Sequence, residues 1–539
     1  MCQPINGIHR HQPQFHIIGP PQPGASGTAW PGGLNDINAV FQYRGLFHVM
    51  HQCDGGPAGA PCGGGHTGPA TKKGESWFHS WGHAVSEDLV HWTRLPDVLV
   101  PPPYGTPGDY ELGEDCDGTV SFTSQGPVIM FGPNCAPPRL NDAAIVAVAR
   151  PANASDPFLR DWIKDARNPI EFAGRPCSFP GAVWDAADGS HWNMICAVGE
   201  RSWGRYQTND STLHGPWSLA DAAFASYPNA SAGIGASSGA AFLPLFNATT
   251  GEPTHVIAEG ANAAFHYGTY DSRAEKLSLS GSRYPMDHNS GRFAWAAAGL
   301  GEGGRILVAA WLHATDADAA TERAAGCPHI VGIEICGVQA VSTLRVLRYE
   351  SASRMLAAAP ADEYAALRNA TLFHEAELRL LPSEARTLPL GPGGSGAAAD
   401  LELELDLSVA AAAALQLSVL SDASGTYGTH ISIEVSPPDL HDGSRNASVR
   451  IRTTTQALPT PPPAAPFVVP VLAGETALAV RVLIDRSIVE AFFAGGRAAF
   501  TERAYPHANQ TAMRLAAPQS GLGVTVRRLD VFGMGCGWV

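Results

Sequence analysis

Residues 34–52 read LNDINAVFQYRGLFHVMHQ, with Asp36 the only acidic residue, set between Asn35 and Asn38 ahead of a run that alternates like a β-strand. An Asn-Asp-x-Asn lead-in has two readings. The first is an Asx turn, in which short polar side chains bond nearby backbone and start the strand. The second is a carboxylate held out by the strand for chemistry. The surroundings decide between them.

From about residue 15 to residue 346 the same texture continues. Short β runs such as GPVIMFGP, AAIVAVAR, HWNMICAVG, PTHVIAEG, FHYGTYD and GRILVAAWL are broken by Gly, Pro, Asn and Asp. Regular strands with helices nearly absent predict a propeller, sandwich or barrel. GLGEGG (299–304) lies between two such runs with no helix after it, which makes it a hairpin turn and not a nucleotide loop. PADEYAALR (360–368) is helix-like, with Pro at its start and acids in its first turn. LPLGPGGSGAAAD (388–400) reads as a linker, and LELELDLSV after it alternates strictly. The remainder reads as a second all-β domain, a sandwich. The expected division is therefore a first domain over 1–350, a connector over 351–387 and a second domain over 388–539.

Composition narrows the function classes. The chain has 539 residues, more than one ordinary domain, and 45% of them are apolar, enough for a sizeable core. Charged residues are only 16%, with 58 Gly and 43 Pro, which favours strands and turns over long helices. A net charge of −15 argues against nucleic acid or an anionic membrane as partner. The most apolar stretch, LSVAAAAALQLSVL (407–420), is too short and too polar to span a bilayer. No CxxC pair, zinc-finger Cys/His cluster or H-E-x-x-H spacing occurs, so neither a metal nor another cofactor is expected.

Eight of the ten cysteines fall into sequence-local couples, Cys53/Cys62, Cys116/Cys135, Cys177/Cys196 and Cys327/Cys336, which look like hairpin and loop staples. Asn153, Asn209, Asn229, Asn247, Asn369, Asn446 and Asn509 each begin an N-x-[ST] acceptor. Paired cysteines with glycosylation acceptors point to the secretory pathway, extracellular or vacuolar. The first residues, MCQPINGIHRHQPQFHIIG, show no basic segment followed by an apolar one, so no signal peptide is read there.

Asn35-Asp36-x-Asn38, then Tyr43-Arg44-Gly45, Phe47-His48 and Gln52, resembles the first-strand signature of glycoside hydrolase family 32, the invertases, inulinases and related fructan enzymes. Pro13-Gln14-Phe15-His16 is similar to the segment that opens that catalytic domain, and WGHAVSEDLVHWTRLP (81–96) is nearly the family's second-blade consensus. Asp117-Gly118-Thr119-Val120, FHYGTYD (265–271), Ser342-Thr343-Leu344-Arg345, PADEYAALR and LIDRSIVEAFFAGGRAAFTERAYP (483–506) continue the resemblance in order along the chain. The resemblance implies an all-β protein: a five-bladed β-propeller with its site in the central funnel, followed by a β-sandwich.

It also implies a chemistry. Retaining glycosidases use two carboxyl groups, a nucleophile and an acid/base, and the family adds a stabilising aspartate in an Arg-Asp-Pro motif. The nucleophile carries over onto Asp36. Asn35 and Asn38 are expected to donate hydrogen bonds that hold it ionised, and Gln52 and Trp81 match sugar-contacting positions. The other carboxylates do not carry over: Phe179 stands at the Arg-Asp-Pro position and Ser238 at the acid/base position, with no carboxylate between Asp221 and Glu252.

Two residues are candidates to compensate. Asp117 stands where the family has a small hydroxyl residue, although ELGEDCDG (111–118) also reads as a calcium-binding or solvated acidic loop. Glu259, at the end of a fourth-blade strand, is the candidate displaced acid/base, against a surface-loop reading. Asp287 matches a family aspartate that is structural or sugar-binding. Glu490 is read as an interface residue, within the chain or in a homodimer through the sandwich, and His83 and His91 as packing and hydrogen-bonding residues. The expected partner is a sucrose- or fructan-like carbohydrate. Three functional readings follow: a retaining hydrolase of fructosyl or related furanosyl bonds, a carbohydrate-binding pseudoenzyme of the same fold, and an altered chemistry on another sugar.

Overall fold

A computed structural model describes residues 11–19, 21–23, 29–31, 33–54, 79–102, 106, 110–111, 114–133, 145–177, 180–198, 202–225, 240–245, 252–260, 263–280, 283–289, 291–313, 339–391, 394–408, 412–454, 465–519 and 523–538. Five sheets follow one another along the chain, antiparallel except where Phe172–Ala173 pairs parallel with Trp217–Ala225 in the third, and each has one innermost strand. These inner strands are Gly33–Tyr43, Asp115–Thr123, Pro180–Asp185, Ala241–Pro244 and Phe293–Leu300. Each inner strand touches the next, and the fifth returns to the first, so the sheets close as the blades of a propeller.

Closure requires the fifth inner strand to lie directly on the backbone of the first. Gly299 permits this: a Cβ there would come within 1.8 Å of the Val40 carbonyl oxygen. The GLGEGG segment is the hairpin tip expected, with a short 3-10 turn at Glu302–Gly304 before the strand Ile306–Leu312. The fifth blade runs on past residue 350, because Met355–Pro360 pairs with Arg345–Glu350. The helix-like PADEYAALR forms a 3-10 turn, Asp362–Leu367. Arg368–Glu375, inside the interval read as connector, already pairs in the second domain.

That domain is two packed sheets, one of seven strands and one of six. The LELELDL alternation works as its period demands: Leu401, Leu403 and Leu405 enter the core, while Glu402 meets Arg368 and Arg528 on the outer face. Cys177 and Cys196 are disulfide-bonded across the third blade as their spacing suggests. Cys53, Cys116 and Cys536 are bonded too, with partners outside the described residues.

The two domains share one core. Phe15, Val40, Leu89 and Trp92 of the propeller pack in a single cluster with Leu483, Phe492, Ala499 and Met534 of the sandwich. Burying side chains of this size contributes roughly 1.5–3 kcal/mol each. The 81–96 motif, read from the resemblance as second-blade, lies in the outer strands of the first blade and supplies part of this clasp. Asp88 accepts the Val90 and His91 backbone N–H groups, turning the chain so that the Trp92 N–H reaches the Gly537 carbonyl at 2.8 Å.

Charge runs through the apolar interface. His16, wholly buried, donates from Nδ1 to Asp485 (2.8 Å) and from Nε2 to Glu490 (3.0 Å). Only imidazolium has both nitrogens as donors. Asp485 also takes the backbone N–H groups of Gln14, Phe15 and His16. Arg345 Nη2 reaches Asp287 (2.9 Å), Glu490 (3.1 Å) and the Thr501 hydroxyl (2.9 Å), with its guanidinium between the rings of Phe293 and Phe492. Glu490 accepts the Thr343 N–H and hydroxyl as well, both at 2.8 Å. Glu490 therefore joins the two domains of one chain.

Burial pushes the His16 pKa down, but the hydrogen bonds and charges of Asp485 and Glu490 outweigh it and raise it to about 8. Burial pushes Glu490 up, and His16, Arg345 and Thr343 more than offset this to hold it at about 2.

Two outcomes are expected. Gly299→Ala should cost about 1–3 kcal/mol by overpacking the ring closure, whereas Gly132→Ala, whose Cβ would meet nothing nearer than 3.7 Å, should be close to neutral; thermal melts of both variants check this. For pH, the raised His16 contributes stability that is full below 6.5 and is lost as pH rises through about 8. The depressed Glu490 contributes stability that is full above 4.5 and is lost as pH falls toward 2. Melting temperature should therefore be highest between pH 4.5 and 6.5, and His16→Gln should flatten the alkaline fall, worth about 2 kcal/mol from the His16 shift. An unchanged alkaline fall in the variant would contradict this.

Candidate active site

The NDIN lead-in lies inside a strand and distorts it. Leu34 faces Cys53 and Ile37 faces His51, so Asn35 and Asp36 together oppose Gln52 alone. A second irregularity sets Asn38 between Ile37 and Ala39. These are bulges, which re-aim side chains at strand ends. Asp36 is 8% exposed and Asn38 is buried. Asn35 does not hold the Asp36 carboxylate as expected; its Oδ1 accepts the Asp36 backbone N–H at 2.9 Å and so fixes the bulge.

The second blade repeats this device. Asp115 faces Pro133 and Gly118 faces Phe131, so Cys116 and Asp117 together oppose Gly132. In the third blade Gly181 and Ala182 oppose Ile195 in the same way. Asp36 and Asp117 thus hold the same second place in equivalent bulges of neighbouring inner strands. Gln52 spans the two blades: it lies opposite the Asp36 bulge, and its amide donates to Asp117 Oδ1.

Trp81, expected to touch sugar, is fully buried behind this arrangement. Its indole N–H donates to the Cys116 carbonyl at 2.7 Å and its ring meets Phe131 edge-on, so it pins the second bulge to the first blade. In the acidic loop, read as calcium-binding or solvated, Glu111 and Asp115 are instead met by a lysine. Lys164 Nζ donates to Glu111 at 2.5 Å and to Asp115 at 2.7 Å, and both carboxylates are buried. Burial, only partly opposed by Lys164 and reinforced by Glu111, pushes Asp115 well above the usual carboxylate range. Sequence reasoning missed Lys164, which sits in the outermost strand of the blade, Trp162–Lys164, without motif context. Among the described residues no group of His, Cys, Asp and Glu could hold a metal ion.

Two predicted site residues lie elsewhere. Glu259 ends the second strand of the fourth blade, fully buried, 3.0 Å from His266 Nε2 and 3.6 Å from Arg283 Nε. A carboxylate closed in this way is not placed to deliver a proton to a substrate. Asp287 belongs to the interdomain cluster, where it accepts from Arg345 and from the Thr501 N–H and hydroxyl. Phe179 and Ser238 lie outside the described residues. His83 packs as expected, with Nε2 2.9 Å from His48 Nδ1; burial lowers the pKa of both rings. His91, half-buried, makes its hydrogen bond to Asp88 at 2.6 Å.

Comparisons with known proteins agree with this architecture. Residues 28–332 match the model of the Glycosyl hydrolases family 32 N-terminal domain, and residues 363–532 match that of the Glycosyl hydrolases family 32 C terminal. Among relatives, the beta-fructofuranosidase insoluble isoenzyme CWINV4 of Arabidopsis thaliana is 30% identical over 195 residues, 35% of this chain and 27% of that protein. A sucrose:sucrose 1-fructosyltransferase of Festuca arundinacea is 31% identical over 138 residues, 25% of this chain and 17% of that protein. The chain thus spans about a quarter of the length of the first curated relatives it matches. Fructan 1-exohydrolase IIa from Cichorium intybus has the same fold, with a TM-score of 0.74 at 21% identity over 98% of this chain and 99% of that one. So has the exo-inulinase from Aspergillus awamori, at 0.64 and 17% over 98% and 100%. With both of its domains matched by the family models, the chain belongs to glycoside hydrolase family 32.

Proposed function

We propose that this protein is a retaining glycoside hydrolase of fructosyl or related furanosyl bonds, with Asp36 as nucleophile and Asp117 as its companion carboxylate. The observation that carries the reading is the pair of equivalent bulges, which set both aspartates at the same end of adjacent inner strands with Gln52 between them. A retaining displacement needs two carboxyl groups close together on one sugar. Asp36 bonds to the anomeric carbon as the glycosidic bond breaks and Asp117 gives the leaving oxygen a proton; Asp117 then takes a proton from the water that releases the sugar from Asp36. The relatives named as beta-fructofuranosidases and the fructan exohydrolase fold support a sucrose- or fructan-like carbohydrate as the class of substrate. Asn153, Asn209, Asn369, Asn446 and Asn509, the acceptor asparagines among the described residues, are all exposed, as a glycosylated secretory protein requires.

A second reading has its own support. Ser238 and Phe179 at the two other carboxylate positions suit a pseudoenzyme that grips sugar without cleaving it. Reducing-sugar release from sucrose, inulin and levan separates the two. Release is expected; Asp117→Asn should slow it roughly 10²–10⁴-fold, and Asp36→Asn should abolish it. Binding of these sugars with no release by the unaltered protein would establish the pseudoenzyme instead.

A further inference from the structure

Lys164 and Asp115 meet across the whole width of the second blade. Lys164 ends its outermost strand and Asp115 begins its innermost, Asp115–Thr123, yet Lys164 Nζ lies 2.7 Å from Asp115 Oδ2. The other two protons of the ammonium go to Glu111 Oε2 at 2.5 Å and to the Val100 carbonyl at 3.0 Å. Asp115 has no exposed side-chain surface and Glu111 only 4%. The ring of Phe131 lies beside Nζ, its centroid 5.7 Å away. Two carboxylates against one cation leave an uncompensated anion in a buried place. Burial and Glu111 remove it by holding the proton on Asp115. A protonated carboxyl group therefore faces a lysine whose ammonium also touches a carboxylate. Electrophile, nucleophile and base stand in contact, which is the arrangement that acyl transfer needs.

We infer that Lys164 and Asp115 condense to an intramolecular isopeptide bond with Glu111 as the base, so that the second blade modifies itself. The Glu111 carboxylate takes a proton from the Lys164 ammonium. The freed amine bonds through Nζ to Asp115 Cγ as the Cγ–OH bond breaks, and the hydroxyl leaves as water with a second proton from the nitrogen. An ammonium, a carboxylate and a carboxylic acid thus become a neutral amide, a protonated Glu111 and one water, with no oxidant or cofactor. Burial favours this product, because an ion pair costly to desolvate is replaced by an uncharged amide. The link spans 49 positions of sequence and ties the innermost strand of the blade to its outermost. It anchors the backbone two residues before Asp117, and it forms whether or not Asp117 takes part in hydrolysis.

Mass spectrometry of the reduced full chain after trypsin digestion tests this. Cleavage beside Arg94, Arg139, Arg160 and Arg167 releases residues 95–139, which hold Asp115, and residues 161–167, which hold Lys164. Expected is a single species that joins the two, lighter than their sum by one water, with cleavage after Lys164 lost. Lys164→Arg keeps a cation at the carboxyl groups but offers no amine, and its two peptides should stay separate. Glu111→Gln, which removes the base and preserves shape, should slow formation of the joined species in freshly folded protein about 10²-fold or more. Separate peptides from the unaltered protein after prolonged incubation at neutral pH would overturn the inference. So would a joined species that forms as fast in Glu111→Gln as in the unaltered chain.

Discussion

The two positive groups buried between the domains, His16 and Arg345, are the constraint on which the rest of the architecture depends. They face three carboxylates, Asp485, Glu490 and Asp287, on segments that are remote in sequence and that belong to both domains. Charges in an apolar interface are costly unless each meets a partner in good geometry, and removing one partner leaves another stranded. Such a cluster adds less net stability than packed hydrocarbon would, but it specifies which surfaces meet. The shared apolar core supplies adhesion, and the charges set the register of sandwich on propeller.

The site follows from a second device, the bulge repeated near the start of successive inner strands. A regular strand would alternate its side chains between the two faces of the blade. The extra residue breaks that alternation where the strand begins, and it does so at the same place in the first three blades. A blade fold thereby presents a side chain per strand at a common end without altering the rest of the sheet. Asp36 and Asp117 stand at that place in the first two blades, and Ala182 occupies the corresponding place in the third.

Much of the fold was legible because it rests on period. Alternating runs such as LELELDL and the short apolar strands of the blades declare themselves locally, and the family motifs order them. The site was less legible because its geometry lies in pairings between strands. Asp36 was found from its flanking motif, yet the roles of its neighbours came out differently. Asn35 fixes backbone, Trp81 is a buried pin, and Gln52 turns to a partner 65 residues away. Asp287 looked like a site residue because a matching motif does not say which way a side chain faces; its partners Arg345 and Thr501 lie 58 and 214 positions on. The acidic loop misled for the same reason, since the lysine that neutralises it comes from the far edge of the blade. The connector was misjudged because strand pairing, not composition, decides where a sheet ends.

The pairing of residues near position 14 with residues near position 537 has a temporal meaning. Gln14 donates its side-chain amide to the Met534 carbonyl, Gly537 donates its N–H to the Gln14 carbonyl, and the Trp538 indole donates to the His16 carbonyl. These contacts cannot form until more than five hundred intervening residues have been synthesised. While the chain is still emerging, the segment that carries His16 has none of its sandwich partners, and the apolar face of the first blade has nothing to lie against. Contacts of such long sequence separation form late and slowly, and domains built earlier wait with exposed surface. The seating of the 14–16 segment against the last strand of this protein is therefore completed only when that strand arrives.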